Sequence, residues 1–331
     1  MDAIPSISNS SQVSSDFWPL LKGLLAFSFG YYFFLIFGAK LPIFSKEASI
    51  FLTALALVSF AIACVIGFSR LRLPRTVYLT LGFFAVFLVL KTASPLVNRS
   101  AAINKVGSIS GAVIFFTTAS SQNPGLNLSN CIIDTRNQNF LKLTDSLEKE
   151  FPEAPSVILL LCLLQLCVAS GIGLWIGNGI DEVSHLIPVA FIATLADSWS
   201  VAGGATAIII KSEQIHYFLL RFPSLGGQQS EIPFLIGLTD FLFFGIFYQA
   251  AFRFNLGVGK NIILLFSSFV CAVGSAVILK AGLPVLPFMA VLFVAGNYSN
   301  LSIKKEDKKI MAAFFVVMVI GALLFSRFMS R

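Results

Sequence analysis

Two aspartates lie well inside long apolar stretches of a chain that has 16 acidic residues in all. Asp197 falls within the apolar stretch 186–210 and Asp240 within the stretch 232–252. A carboxylate in hydrocarbon is costly, so an ionisable residue there is a functional hypothesis by default. If neighbouring helices bring these two carboxyls together, both cannot ionise, and the pair shares one proton. The charged member can then activate a water while the protonated member polarises a carbonyl, which is metal-free peptide hydrolysis.

The composition is that of a membrane protein, with 56% hydrophobic and 12% charged residues. A soluble domain carries about 25% charged residues. We therefore expect an all-α, polytopic protein that is integral to the membrane and passes through it several times. About nine segments are long and apolar enough to span the membrane: 17–38, 48–68, 76–97, 156–177, 186–210, 232–252, 261–279, 284–299 and 310–327. A tenth candidate, 106–121, is weaker because Ser, Thr and Gly make it less apolar.

The net charge of +7 comes from short basic clusters and does not indicate nucleic-acid binding. With nine spans and a cytoplasmic N-terminus, all three clusters lie on the cytoplasmic side, as the positive-inside rule requires. A tenth span at 106–121 would place the second and third clusters outside, so the charges favour nine spans. The clusters are Arg70, Arg72 and Arg75; Arg253 and Lys260; and Lys304, Lys305, Lys308 and Lys309.

The chain divides into three regions. Residues 1–97 hold three predicted spans, residues 98–155 form a polar loop, and residues 156–331 hold the later spans with both aspartates. Within the polar loop, 140–151 alternates charged and apolar residues at helical spacing, which predicts either a short interfacial helix or a plain connection. The polar connection 211–231 contains helix-breaking glycines and a proline. It is either a mobile gate or docking segment, or a featureless linker.

Neither the cysteines nor the histidines have the spacing of a metal site, and we expect no metal and no other cofactor. Of the five cysteines, only Cys131 lies outside the predicted spans. His185 and His216 lie far apart at the ends of apolar segments, and we interpret both as interfacial polar residues. No glycine-rich phosphate-binding motif occurs between a strand and a helix.

Three short motifs surround and follow the aspartates. Asp197 begins Asp-Ser-Trp-Ser-Val, Asp240 ends Gly-Leu-Thr-Asp, and the segment 283–287 reads Leu-Pro-Val-Leu-Pro. Their order and spacing resemble those of the presenilin and signal peptide peptidase family of intramembrane aspartyl proteases. In that family the second aspartate closes a Gly-X-Gly-Asp motif, and a Pro-Ala-Leu motif opens a later helix. The resemblance covers residues 186–298.

The resemblance implies a presenilin-like bundle that hydrolyses peptide bonds within transmembrane helices, which would be its partners in the bilayer. Asp197 and Asp240 would form the catalytic pair. Gly237 would allow a close approach of backbone or substrate. Pro284, Val285 and Leu286 would line the site and hold an extended substrate, because a helix must unwind before its peptide bonds can be attacked. Whether partner subunits are needed is not implied by these motifs.

The chain departs from the family pattern at three positions. Ala196 stands where the family has Tyr, Thr239 where it has the second Gly, and Val285 where it has Ala. The side chain of Thr239 would either hydrogen-bond Asp240 or narrow the site, which leaves a slow, a selective or an inactive protease. The aspartates also fall in the fifth and sixth predicted spans, whereas the family has them in the sixth and seventh.

Two other functions fit the residues. Buried carboxylates also load and release protons in coupled transporters, although we find only one interrupted segment and no internal repeat. A non-catalytic protein with the same fold would bind membrane helices without cleaving them. The protease reading predicts that the Asp197 and Asp240 carboxyls lie within about 10 Å of each other. It also predicts that the segment 284–287 is irregular and lies beside them, because two prolines three apart do not fit a helix interior.

Overall fold

The computed structural model describes residues 10–37, 46–105, 155–202, 214–221, 235–279 and 283–301. The predicted span 310–327, the weaker candidate 106–121 and the predicted interfacial helix 140–151 lie outside these residues. Two apolar helical segments are shorter than a span, Val183–Leu195 and Leu286–Gly296. Five helical segments are long and apolar enough to cross a membrane: Phe17–Phe37, Phe51–Arg70, Arg75–Val97, Pro155–Asn178 and Val258–Leu279. The predicted apolar and mainly helical character of the chain is therefore confirmed.

The helices of the described part are numbered in chain order, and one short antiparallel strand pair interrupts them. A turn of 3-10 helix, Val183–His185, precedes α5. The helices are α1 (Ser10–Phe37), α2 (Lys46–Arg70), α3 (Arg75–Lys105), α4 (Pro155–Asn178), α5 (Leu186–Ala202), α6 (Ile215–Phe218), α7 (Leu238–Arg253), α8 (Val258–Leu279) and α9 (Leu286–Gly296). The strands are β1 (Leu219–Arg221) and β2 (Leu235–Gly237).

Two boundaries differ from those predicted. Helix α3 continues to Lys105, into the stretch predicted as a polar loop, because a helix can extend beyond its apolar part. The stretch 232–252 is not one helix, since β2 occupies Leu235–Gly237 before α7 begins. The fold is therefore not purely helical. Hydrophobicity reports burial and not backbone conformation, so an apolar run this short does not distinguish a strand from a helix.

Helix α4 lies at the centre of the bundle, with α3 and α7 packed against it. Glycines set both crossings. A methyl group on Gly171 would lie 2.9 Å from the Cα of Gly82 in α3. A methyl group on Gly173 would collide with the carbonyl of Leu242 in α7. Small residues allow the backbones of membrane helices to approach closely, where packing replaces the hydrophobic effect as the source of stability.

The helices run so that the described bundle has two chemically different ends. At one end α2 finishes, α3 begins, and α4 and α7 finish together, since Arg253 of α7 bonds the carbonyl of Asn178 in α4. We call this the arginine end. At the other end α7 and α9 begin and α5 finishes, which brings in Asp197 and Asp240. We call this the aspartate end.

A buried pair of asparagines joins α8 to α9 at the arginine end. The Nδ2 of Asn297 donates to Oδ1 of Asn261 at 2.6 Å, and the Nδ2 of Asn261 donates to Oδ1 of Asn297 at 3.3 Å. Both side chains are fully buried. Each amide also bonds backbone carbonyls, Asn261 those of Leu256 and Gly257 and Asn297 that of Phe293. The pair therefore fixes α9 at the end opposite its contact with Asp197.

Candidate functional site

Asp197 lies in α5 and is held by the start of α9. Its Oδ2 accepts a hydrogen bond of 3.0 Å from the backbone N–H of Leu286, the first residue of α9. The N–H of Val285 also faces this carboxyl. The first N–H groups of a helix have no partner within the helix and carry a partial positive charge. The start of α9 is therefore a stabilising partner for a negative charge on Asp197, whose side chain is only partly buried.

Asp240 lies in the first turn of α7, with its side chain 6% exposed. The backbone N–H of Gly237 faces its carboxyl, which also lies close enough to Asp197 for the two to interact electrostatically. Asp240 is thus at the start of a helix, and not within one as its apolar surroundings suggested. The structure brings the two predicted site aspartates together from different helices, and the backbone N–H of Leu286 donates to Asp197.

Gly237 ends β2 and caps α7, with φ −64° and ψ 138°. These angles suit any residue, so the glycine is not needed for backbone conformation. The space around it is limited, however. A methyl group at this position would lie 3.2 Å from Oδ2 of Asp240 and 3.2 Å from Oγ1 of Thr239. Gly237 therefore leaves room directly beside the carboxyl.

The segment that follows α8 contains the predicted Pro-Val-Leu motif, and part of it is helical. Pro284 lies in irregular backbone and Val285 caps α9 with helical angles, φ −81° and ψ −36°. Leu286 and Pro287 form the first turn of α9, so the prediction of irregular backbone through Pro287 is wrong for these two residues. A proline in the first turn of a helix costs little, because its missing N–H would have had no helical partner. The segment does lie beside Asp197, through the N–H of Leu286.

The connection between the two aspartate helices forms a short sheet. In it β1 pairs antiparallel with β2, in the register Leu219 to Gly237, Leu220 to Ile236 and Arg221 to Leu235. Sequence reasoning treated the segments containing β1 and β2 as a linker and as the beginning of a helix. Three-residue strands are too short to produce a recognisable alternation of apolar and polar residues.

Helix α4 covers the outer edge of β1. The Nε2 of Gln165 donates to the carbonyls of His216 and Leu219, and Sγ of Cys162 donates to the carbonyl of Arg221. Gln165 is fully buried, and its Oε1 has no hydrogen-bond partner within the described part of the chain. A glutamine within an apolar span was the sequence signal for this contact, and it was missed. Non-helical backbone at membrane depth needs such donors, because lipid supplies none.

Two further predictions from the sequence concern His216 and Thr239. His216, interpreted as interfacial, is 2% exposed, and its Nδ1 lies 3.4 Å from Nη1 of Arg221. The reason is that β1 and α6 fold inward against α4 and α3. Thr239 is exposed, and among the described residues no hydrogen bond joins its hydroxyl to Asp240.

Comparison of the chain with models of known protein families finds no match, and no curated protein and no solved structure matches it either. The function must therefore be argued from the site.

Proposed function

We propose that this chain is an intramembrane aspartyl protease of the presenilin-like type, in which Asp197 and Asp240 activate a water against a peptide bond of a transmembrane helix. The observation that carries the proposal is the meeting of two carboxyls, from α5 and α7, at the start of α9. Two interacting carboxyls in a largely buried site do not favour double ionisation, so in this proposal the pair shares one proton, which is the state that general acid–base hydrolysis needs.

The depth of the site supports cleavage within the membrane. Residues 240 to 253 of α7 rise about 1.5 Å each, which places Asp240 about 20 Å along the helix from Arg253. A hydrocarbon core is about 30 Å thick. With Arg253 at one interface, Asp240 lies inside the hydrocarbon layer and below the opposite surface. In this arrangement the chain crosses the membrane several times, as the nine predicted spans require.

The strand pair offers a way to hold an unwound substrate. The carbonyls of Leu219 and Arg221 point away from β2, because Gln165 and Cys162 of α4 bond them. In an antiparallel pair, alternate residues face the partner strand, so Leu220 and Ile236 exchange the inner bonds. Leu235 then presents its polar groups to the outer edge of β2, and the N–H of Gly237, on the same edge, faces the carboxyl of Asp240. An extended peptide can add to this edge as a third strand, with its backbone leading to the aspartates.

The alternatives make different demands on the same residues. A proton-coupled transporter needs its carboxyls distributed along a path, whereas these two meet at one point. A non-catalytic protein that binds helices requires no particular arrangement of the two aspartates. Only a measurement of cleavage therefore distinguishes it from a protease.

The test is reconstitution of the purified protein in liposomes with a single-span helix as substrate, followed by mass spectrometry of the products. We expect one cut within the membrane-spanning part of the substrate, at about the depth of Asp240. A cut confined to a water-exposed loop would contradict the proposal. Absence of cleavage from a panel of single-span helices of different sequence would favour the non-catalytic reading.

A further inference from the structure

The arginine end contains two neighbouring cavities that play no part in the proposed cleavage. One has a volume of about 380 Å³ and is lined by Arg70 and Arg72, with Tyr248 and Gln249 on the side of α7. The other has a volume of about 370 Å³ and is lined by Arg75, Asn178 and Arg253. Gln249 and Phe252 line both cavities, which are therefore adjacent.

The charge of these cavities is strongly positive. Four exposed arginines line them, and the one described carboxylate that pairs with any of the four is Asp181, 3.7 Å from Arg253 and itself 83% exposed. Arg75 lies over the ring of Trp175, at 5.3 Å from its centroid. Within the described residues no carboxylate pairs with Arg70 or Arg72. The guanidinium groups of these two are therefore available to an anion.

Arg72 is placed toward the cavity by an unfavourable backbone conformation. Its φ of 48° lies in the left-handed region, which is unfavourable for a residue with a side chain. The turn is short, because α2 ends at Arg70 and Pro74 precedes α3. The N–H groups of Leu71 and Arg72 bond back to the carbonyls of Phe68 and Ser69, which fixes the turn.

The rest of the lining is amphipathic. Gln249 donates to Asn178 at 2.7 Å, which fixes the two amides as a polar wall shared by α4 and α7. Phe252, 50% exposed, places an apolar ring on the rim of both cavities. A soluble anion gains nothing from contact with this apolar ring. A phospholipid has both a phosphate, which the arginines can bind, and an apolar part, which Phe252 can contact. The cavities also lie where the helices end, which is the level of the lipid headgroups.

We propose that the arginine end binds the phosphate of an anionic phospholipid, with Arg70 and Arg72 as its principal partners and Phe252 in contact with the apolar part of the lipid. Arginine forms bidentate bonds with phosphate oxygens, and basic pockets between membrane helices are suited to anionic headgroups. The positive-inside rule explains why arginines occur at this end but not why they line cavities. The proposal is independent of proteolysis, because it uses neither aspartate.

Fluorescence of Trp175 offers a local measurement. In a Trp18→Phe, Trp199→Phe background, Trp175 is the sole tryptophan of the chain and lies beside Arg75. The protein is placed in nanodiscs of phosphatidylcholine that contain an increasing fraction of either brominated phosphatidylglycerol or brominated phosphatidylcholine. We expect the anionic lipid to quench Trp175 several-fold more effectively than the zwitterionic one.

Two variants separate a site from general surface charge. Arg70→Gln combined with Arg72→Gln leaves the Arg75–Trp175 contact intact and should abolish most of the several-fold preference for phosphatidylglycerol, since it removes the two principal cations of the site. The control is Lys260→Gln, an exposed cation at the start of α8 that lines neither cavity. It should leave the preference unchanged.

The results that would overturn the proposal are equally specific. Equal quenching by the two lipids would exclude a selective site. A loss of preference in Lys260→Gln as large as in the arginine variant would assign the effect to surface charge alone. Reversal of the quenching by millimolar inorganic phosphate, but not by sodium chloride of the same ionic strength, would assign the cavities to a soluble phosphate and exclude the lipid.

Discussion

Replacing Gly237 with alanine should slow cleavage without destabilising the protein. The backbone angles at this position, φ −64° and ψ 138°, are accessible to alanine, so the change introduces no strain. By restricting the unfolded chain, it should add about 0.4–1 kcal/mol to the free energy of unfolding. The added methyl would lie 3.2 Å from Oδ2 of Asp240, which is closer than an ordinary van der Waals contact.

The size of the effect follows from which neighbour can move. The hydroxyl of Thr239, also 3.2 Å away, belongs to an exposed side chain and can rotate. The carboxyl of Asp240 is enclosed and must shift as a whole by a few tenths of an ångström. Since a displacement of about 1 Å costs roughly 100-fold in rate, a shift of this size should lower kcat about three- to fivefold.

The assay compares kcat for cleavage of a single-span substrate with the thermal unfolding of each variant in the same detergent. Gly245→Ala is the matched control, because it lies in α7, the helix that Gly237 caps, and its methyl would meet atoms of α4 no closer than 3.5 Å. It should keep the rate of the parent protein. If Gly237→Ala keeps full activity, or if it loses activity together with stability, the methyl does not act through the Asp240 carboxyl and the reasoning is refuted.

Three further outcomes follow from the packing and the site. Asn297→Ala should lower the free energy of unfolding by about 1–3 kcal/mol, because it leaves the buried Oδ1 of Asn261 unsatisfied. Denaturation in mixed detergent micelles measures this free energy, and an unchanged value would contradict the stabilising role of the asparagine pair. Gly173→Ala should reduce folded protein severely, since its methyl would meet the backbone carbonyl of Leu242; recovery of monodisperse protein by size-exclusion chromatography decides this. Thr239→Gly should keep or raise the rate of cleavage despite a cost of about 1 kcal/mol in helix propensity, and a lower kcat would show that its side chain assists the reaction.

The composition of the chain was enough to predict apolar helices, and the rarity of buried carboxyls was enough to select Asp197 and Asp240. Both predictions depend on the cost of charge in hydrocarbon, which is about 2.5–3.5 kcal/mol even on the mildest scales. The contact between Asp197 and Leu286 was not predictable at the level of atoms, because a backbone N–H leaves no mark in the sequence. Only the prolines around Leu286 indicated that a helix begins there.

The strand pair, in contrast, was not predictable from the sequence. β1 is stabilised by Gln165 and Cys162 of α4, which are more than fifty residues away along the chain, and β1 in turn pairs with β2. Local sequence does not contain such a contact, and the leucines and isoleucine of these strands suit a helix equally well. Tertiary contacts decide the conformation here, and they place Asp240 at the start of a helix where the apolar pattern had placed it inside one.

The central claim is that the two aspartates act as one catalytic unit, and the rate of cleavage as a function of pH tests it most directly. The parent protein, reconstituted in liposomes with a tagged single-span helix, should give a bell-shaped profile, because activity requires one proton shared by the pair. Asp197→Asn and Asp240→Asn should each abolish cleavage at every pH while keeping the parent's expression and elution volume, since an amide retains the shape of the carboxyl but cannot share the proton. Cleavage that survives in either variant would contradict the account.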